Sequence, residues 1–371
     1  MREDSRPSRV LLCLRWGIGD VVMATPSYRA LRQRFPSAQI VVLGAKPATD
    51  FFDADDVADD VHAVQDFGVA HWGDRSAEAS RRLTEWFDGR PSFDWIVDAL
   101  HAAPAVQDVL REQSGNWLDG HQPTQHRLTR EGIGLTEAVN RAAEVGWGFP
   151  VASPGKPRVS VRREDDVWAD EQVQTTPGSM TAVAPVASMH LKRWPAERFA
   201  AVCDDLLHDG PVLLFVGPER DVADEVLSHM RSPERVRIVG PEHLLRQAAL
   251  LRRCDRFLGN DTGLMHMAAA MGVATVGLFG PTSRRIVLPR HAPSIGLGDA
   301  RDCPHFNDQQ LDMPACWAAG HCLHSEPRSC IDRISVDDAQ SSLRRVGGDV
   351  RLPVQVTGSG SQSVVGQHPP A

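Results

Sequence analysis

The stretch GNDTGLMHMAAAMG, residues 259–272, carries the densest set of side chains able to hold a charged ligand. Asp261 stands where an apolar run ends and can accept hydrogen bonds from hydroxyl groups. Thr262 and Gly263 then open an Ala/Met-rich helix, whose first backbone N–H groups lack partners and suit a diphosphate. Thr262 can cap that helix and donate a hydroxyl, and Gly263 lets a ligand approach the backbone. His266 falls one turn in, on the face near the helix mouth, as a ligand contact or as an ordinary packing histidine. Gly272 follows the helix as its expected C-terminal stop.

A second set lies in LRWGIGDVVMATP, residues 14–26. Gly17 and Gly19 suggest a dinucleotide-binding loop, but Val22 occupies the third glycine position and the next strand ends VLGAK, without the acid that would hold a ribose. Asp20 would also repel a pyrophosphate. It reads either as a helix N-cap or as a carboxylate exposed by a tight turn to act as a general base, and the two roles are compatible. Lys192, in SMHLKRWPAERF, sits in the loop before a helix beginning near Pro195, where it can neutralise a departing phosphate or simply be solvated. Glu219, in FVGPERD, ends another strand and could accept from a ribose diol or be a surface acid. The loop GPEHLL, 240–245, is a possible wall of a base pocket.

The elements that must position these residues are those of a parallel α/β fold. Apolar strand-like runs at 9–15, 39–45 and 94–100 alternate with helix-like segments, the first over 20–35. VASPGKPR, 151–158, is a Pro/Gly-rich break. The same grammar restarts beyond it. Strands are expected at 180–187, 211–217, 235–240, 256–260 and 274–280, and helices at 196–209, 244–254 and 263–271. The expected organisation is an N-terminal Rossmann-like domain over 1–152, a C-terminal one over 153–334, a closing helix over 335–349 and a low-complexity, disordered tail over 350–371. Two doubly wound halves leave a cleft between them, and ligands in such sheets sit beyond the carboxyl ends of the strands.

The 371 residues carry a net charge of −8, which gives no electrostatic case for nucleic acid. No apolar run reaches the roughly 20 residues of a membrane span, and the N-terminus lacks a signal peptide's apolar core, so a cytoplasmic protein is expected. Lys46, Lys156 and Lys192 are the only lysines among 40 basic residues, so a lysine at a given position is informative.

Together these segments resemble glycosyltransferase family 9, the ADP-heptose:lipopolysaccharide heptosyltransferases and their relatives. The likeness spans about residues 9–347 and rests on GIGDVVMATPSYRALRQRFPSAQI, on LKRWP, and above all on GNDTGLMHMAAAMGVATVGLFGPT. It implies a GT-B fold, two Rossmann-like domains facing across a cleft, and inverting, metal-independent transfer of a hexosyl or heptosyl group from a nucleotide sugar. By the same resemblance Asp20 is the catalytic base and Lys192 steadies the diphosphate. Thr262 and Gly263 form the phosphate cradle, Asp261 contacts the donor sugar, His266 is a further contact and Glu219 holds the ribose, while Arg15 and Gly19 lie on the acceptor side. The turn RWGIGD is one residue shorter than the usual arginine-to-aspartate spacing, and Trp16 is unusual there. The partners implied are ADP-heptose or a related donor and a hydroxylated acceptor. That acceptor is of lipopolysaccharide type or a small natural product, with peripheral membrane contact if it is a lipid. The rivals are a nucleotide-sugar epimerase on the same fold and a non-catalytic nucleotide-sugar-binding protein.

Two features remain. Asp53-Ala54-Asp55 is a D-x-D, but it lies in an acidic run and reads as a solvated loop rather than a metal site. Cys13, Cys203 and Cys254 fall in apolar segments as core residues. Cys303, Cys316, Cys322 and Cys330 have the spacing C-x12-C-x5-C-x7-C, with His321 and His324 nearby, and could hold structural zinc or iron, form a disulfide or stay unpaired. Some members of the resembled family allied to autotransporter glycosylation bind iron through such a cluster. No cofactor is expected for catalysis itself.

Overall fold

The computed structural model describes residues 7–14, 17–64, 76–98, 104–114, 116–119, 122–151, 155–173, 178–217, 220–298, 300, 303–306, 315–324 and 330–347. Arg15, Glu219 and the tail expected over 350–371 lie outside them.

The first half runs β1 (Arg9–Cys13), α1 (Ile18–Arg34), β2 (Gln39–Gly44), β3 (Asp60–Ala63), α2 (Ser76–Phe87) and β4 (Trp95–Asp98). It continues through α3 (Pro104–Glu112), β5 (Trp117–Asp119), α4 (Gln122–Arg130) and α5 (Leu135–Trp147). The second half runs α6 (Arg163–Gln172), β6 (Thr181–Ala184), α7 (Ala196–Leu206), β7 (Val212–Phe215), α8 (Arg220–His229), β8 (Arg237–Val239) and α9 (Leu244–Leu251). There follow β9 (Arg256–Asn260), α10 (Gly263–Ala270), β10 (Ala274–Leu278), α11 (Arg284–Val287), β11 (Ser294–Leu297), α12 (Ala315–Ala319) and α13 (Val336–Val346).

The strands form two sheets, β3-β2-β1-β4-β5 and β11-β10-β9-β6-β7-β8, with every pairing parallel. Because both faces of each sheet are covered, central strands read as unbroken apolar runs. In β1 the side chains divide by parity. Val10 and Leu12 join the core that contains α1 and α5, whereas Leu11 and Cys13 pack with Leu83, Ile96 and Val106 on the opposite face. Cys13, Cys203 and Cys254 are buried in the core, as their apolar surroundings suggest. Burial pushes the Cys203 thiol up to about 12.

Helix α1 is the element shared by both halves. Val21 through Tyr28 are all buried, since the helix lies between the first sheet, α5 and α10. Pro26 cannot donate to the Val22 carbonyl, and the Thr25 hydroxyl donates to it instead, at 2.8 Å. The same hydroxyl accepts from the Arg158 N–H at 3.1 Å, which ties the segment between the halves to the middle of α1. Asn140 of α5 fastens the other side. Its amide donates to Met23 O at 2.8 Å, and its oxygen accepts from the Ser27 N–H at 3.0 Å and the Ser27 hydroxyl at 2.6 Å.

Candidate active site between the two halves

The helix expected from residue 20 begins at Ile18, and Gly17, not Asp20, is its N-cap. Asp20 lies within the first turn, past the cap position, so the N-cap reading of this residue is corrected. The carboxylate still gains from the positive end of the helix dipole. It folds back over Gly17, where an added Cβ would lie 2.5 Å from Asp20 Oδ2. A side chain at 17 would therefore displace the carboxylate.

The second glycine serves a different contact. A Cβ on Gly19 would lie 3.0 Å from the His266 ring. A Cβ on Gly263 would lie 2.6 Å from Ile18 Cβ and 3.0 Å from the Gly19 nitrogen. The N-terminal turns of α1 and α10 thus meet face to face, one from each half, with glycine on both sides of the seam. The paired glycines of the first loop leave room for a protein neighbour and for the carboxylate.

The loop bearing Lys192 is set by Asn260 at the end of β9. This fully buried amide donates to Pro185 O at 2.7 Å and accepts from the Trp194 N–H at 3.1 Å, so both its polar atoms are engaged. The Trp194 indole N–H donates to Ile334 O at 3.0 Å, which holds the LKRWP loop from its other end. Lys192, in the turn His190–Lys192, is thereby placed opposite Asp261. Its ammonium donates to Asp261 Oδ2 at 2.8 Å, and the Thr282 hydroxyl donates to the same oxygen at 2.7 Å. Lys192 Nζ also stands 4.6 Å from the centre of the Trp317 ring.

Burial alone would raise the Asp261 pKa. The Lys192 charge and hydrogen bond, with help from His266 and the Thr282 hydroxyl, outweigh it and hold the carboxyl below its ordinary value. His266 is 3% exposed, and burial draws its pKa down against the opposing pull of Asp261 and Asp20. The His266 Nδ1 and the Thr262 hydroxyl are both buried and have no hydrogen-bond partner among the described residues. Thr262 occupies the N-cap of α10 without a side-chain cap bond. Two orphaned polar atoms at a helix mouth, beside a lysine, form a receptor for an anion with hydroxyl groups.

Asp20, Gly19, Lys192, Asp261, Thr262, Gly263 and His266 are thus drawn to one seam. Sequence reasoning missed Thr282 and Trp317. Thr282 had a signal, since GPT ends the quoted stretch just after β10. Trp317 had none.

The D-x-D is engaged elsewhere. Asp55 pairs with Arg29 at 2.8 Å, while Asp53 and Asp50 face His243 of the second half, their Oδ2 atoms 3.3 and 3.6 Å from its Nε2. Asp50 also pairs with Lys46. His243 Nδ1 accepts from the Leu245 N–H at 3.4 Å and caps α9, so the loop 240–245 meets the first half here. Cys303, Cys316, Cys322 and Cys330 border one small cavity. The Cys316 thiol is raised by burial and then by Cys303 and Cys322. The donor set is all sulfur, which zinc and iron accept, though among the described residues no three sulfurs lie within 4.8 Å of one another.

Two parallel α/β sheets meeting across such a seam define a GT-B fold. The sequence matches the model of glycosyltransferase family 9 (heptosyltransferase) over residues 125–311, and the chain belongs to that family. Lipopolysaccharide heptosyltransferase 3 of Escherichia coli is 23% identical over 320 residues, covering 77% of this chain and 88% of that protein. Two solved structures share the fold. The family 9 glycosyltransferase of Veillonella parvula superposes with a TM-score of 0.71 at 19% identity, covering 92% of this chain and 97% of that one. The E. coli ADP-heptose lipopolysaccharide heptosyltransferase II does so with a TM-score of 0.67 at 18% identity, covering 91% and 98%. Among the described residues no helix is long and apolar enough to cross a membrane.

Proposed function

We propose that this glycosyltransferase moves a heptose or related sugar from a nucleotide-activated donor, ADP-heptose in the first instance, to an acceptor hydroxyl with inversion. Asp20 removes the acceptor proton as that oxygen attacks the anomeric carbon. The bond to the diphosphate breaks with its electron pair leaving on the phosphate oxygen. Lys192, the first N–H groups of α10 and the Thr262 hydroxyl take up the charge that develops there. Asp261 and His266 contact the donor sugar, Glu219 the ribose, and Arg15 and Gly19 border the acceptor.

The single observation that supports this reading is the abutment of the first turns of α1 and α10. It sets the Asp20 carboxylate on one side of the seam and the Lys192–Thr262 nest on the other. A base and a leaving-group receptor on opposite lobes suit an inverting displacement. The test is incubation with ADP-heptose and a panel of acceptors, lipopolysaccharide-type and small hydroxylated molecules, followed by mass spectrometry. ADP release with a matching gain in acceptor mass supports the proposal. Consumption without acceptor points to the epimerase, and binding without consumption to a binding protein.

The four cysteines border one cavity and are of the ligand type that a structural zinc or iron takes, an ion that would have no part in the transfer. Elemental analysis of the purified protein tests this: about one ion per chain supports it, and none opposes it. Action in the cytoplasm, with peripheral membrane contact if the acceptor is a lipid, belongs to the same reading.

A further inference from the structure

Among the described residues the ammonium of Lys192 is flanked by a carboxylate and by an aromatic ring. On one side is Asp261 Oδ2 at 2.8 Å, and on the other the Trp317 ring, whose centre is 4.6 Å away. Lys192 is 14% exposed at its side chain, so this arrangement is largely screened from water, where an indole face attracts a cation most strongly.

Trp317 belongs to α12, in a stretch of chain remote in sequence from the loops of the site. Its placement is not incidental. The small cavity lined by its neighbour Cys316 is also lined by Cys303, Cys322 and Cys330 and by Leu191 and Pro281. Leu191 precedes Lys192, and Pro281 precedes Thr282, which are the two residues that donate to Asp261 Oδ2. The cysteine-bearing segment is therefore docked on both donor-site loops at once, and it carries the ring to Lys192.

We propose that Trp317 is a positioning residue for the transfer. Its indole face holds the Lys192 ammonium at the mouth of α10, and an arriving diphosphate draws that ammonium off the ring. This rests on the reading of Lys192 as the diphosphate contact. The physical basis is that a flexible four-carbon stem would otherwise let the charge wander or collapse onto Asp261. An aromatic face restrains the charge without consuming an N–H donor, so donors stay available to the phosphate oxygens.

The experiment measures ADP binding by calorimetry for the wild type, W317F, W317A and K192A, with intrinsic tryptophan emission recorded in the same titrations. W317A should bind ADP about tenfold more weakly, and W317F, which keeps a ring face, within about threefold of the wild type. Trp194 of the Lys192 loop can also respond to ADP, so the signal of Trp317 is the part of the wild-type emission change that W317F lacks, and K192A should show a smaller change than the wild type. A purely structural role for Trp317 would not remove the signal from a well-folded W317F. The proposal is overturned if W317A binds ADP like the wild type, or if the emission change in W317F is as large as in the wild type. If W317A fails to fold, the emission of W317F decides alone. K192A separates the two layers: wild-type ADP affinity there defeats the reading of Lys192 and Trp317 with it, whereas weak binding in K192A beside normal binding in W317A defeats only the role of Trp317.

Discussion

Lys192 and Asp261, which lie 69 positions apart in the sequence, form a buried ion pair of 2.8 Å at the mouth of α10. Each side chain explains the other. The carboxylate is nearly inaccessible and is held charged against its burial chiefly by the lysine, and the lysine is steered to the helix mouth by the carboxylate.

Removing the lysine should therefore cost stability as well as function. In K192A, burial would act on Asp261 unopposed by the cation, leaving a buried charge without its partner. A loss of about 3 kcal/mol is expected, read as a lower urea midpoint at pH 7. In the wild type the depressed Asp261 pKa contributes stability that is complete above the ordinary carboxyl range and is lost as pH falls through the folded value. K192A should lack that acid-sensitive portion.

The seam itself is tested by Gly263→Ala. The new methyl would enter the space of Ile18 Cβ, so the two helix mouths must separate. A displacement of about 1 Å at a reacting pair costs about 100-fold in rate. The variant should fold, keep its melting temperature within a few degrees, and lose turnover on that scale. Unchanged turnover would mean that the seam is not the reaction site.

His291 supplies a pH-dependent term of opposite origin. Burial, with His266 and Lys156 adding to it, lowers its pKa to about 4 from 6.5. Both ring nitrogens lack partners among the described residues. As pH falls below 6.5 the unfolded chain takes up this proton first, so the folded state loses stability until about pH 4 and no further beyond it. The loss is on the order of 3 kcal/mol. Urea titrations at pH 7 and pH 4.5 should show His291→Gln losing less stability than the wild type by a comparable amount. Equal losses would show that His291 titrates normally in the folded protein.

Much of this architecture was readable from residues. The central strands β1, β2, β4, β6, β7, β9 and β10 stand out because burial on both faces makes each one a continuous apolar run. The strands that escaped, β3, β5 and β11, all lie at sheet edges. Such strands are short and half exposed, as DVHA and SIGL show. Helix α6, REDDVWADEQ, escaped because charge dominates it, and Asp166 and Asp170 instead meet Arg253. At the site, Asp261, Thr262, Gly263 and His266 were legible because one helix mouth holds them together. The use of Gly19 was not legible, because its neighbours, Gly263 and His266, come from the other half of the chain. Trp317 was hidden because its neighbour, Lys192, lies far from it in the sequence of the same half.

The central claim, a base on one lobe facing a leaving-group nest on the other, is tested most directly by Asp20→Asn with both ADP affinity and sugar transfer measured. The substitution keeps the shape of the carboxylate that folds over Gly17 but abolishes its basicity. ADP should bind as in the wild type while transfer falls by about 10²- to 10⁴-fold. Transfer at the wild-type rate, or an equal loss of ADP binding, would contradict the assignment of Asp20.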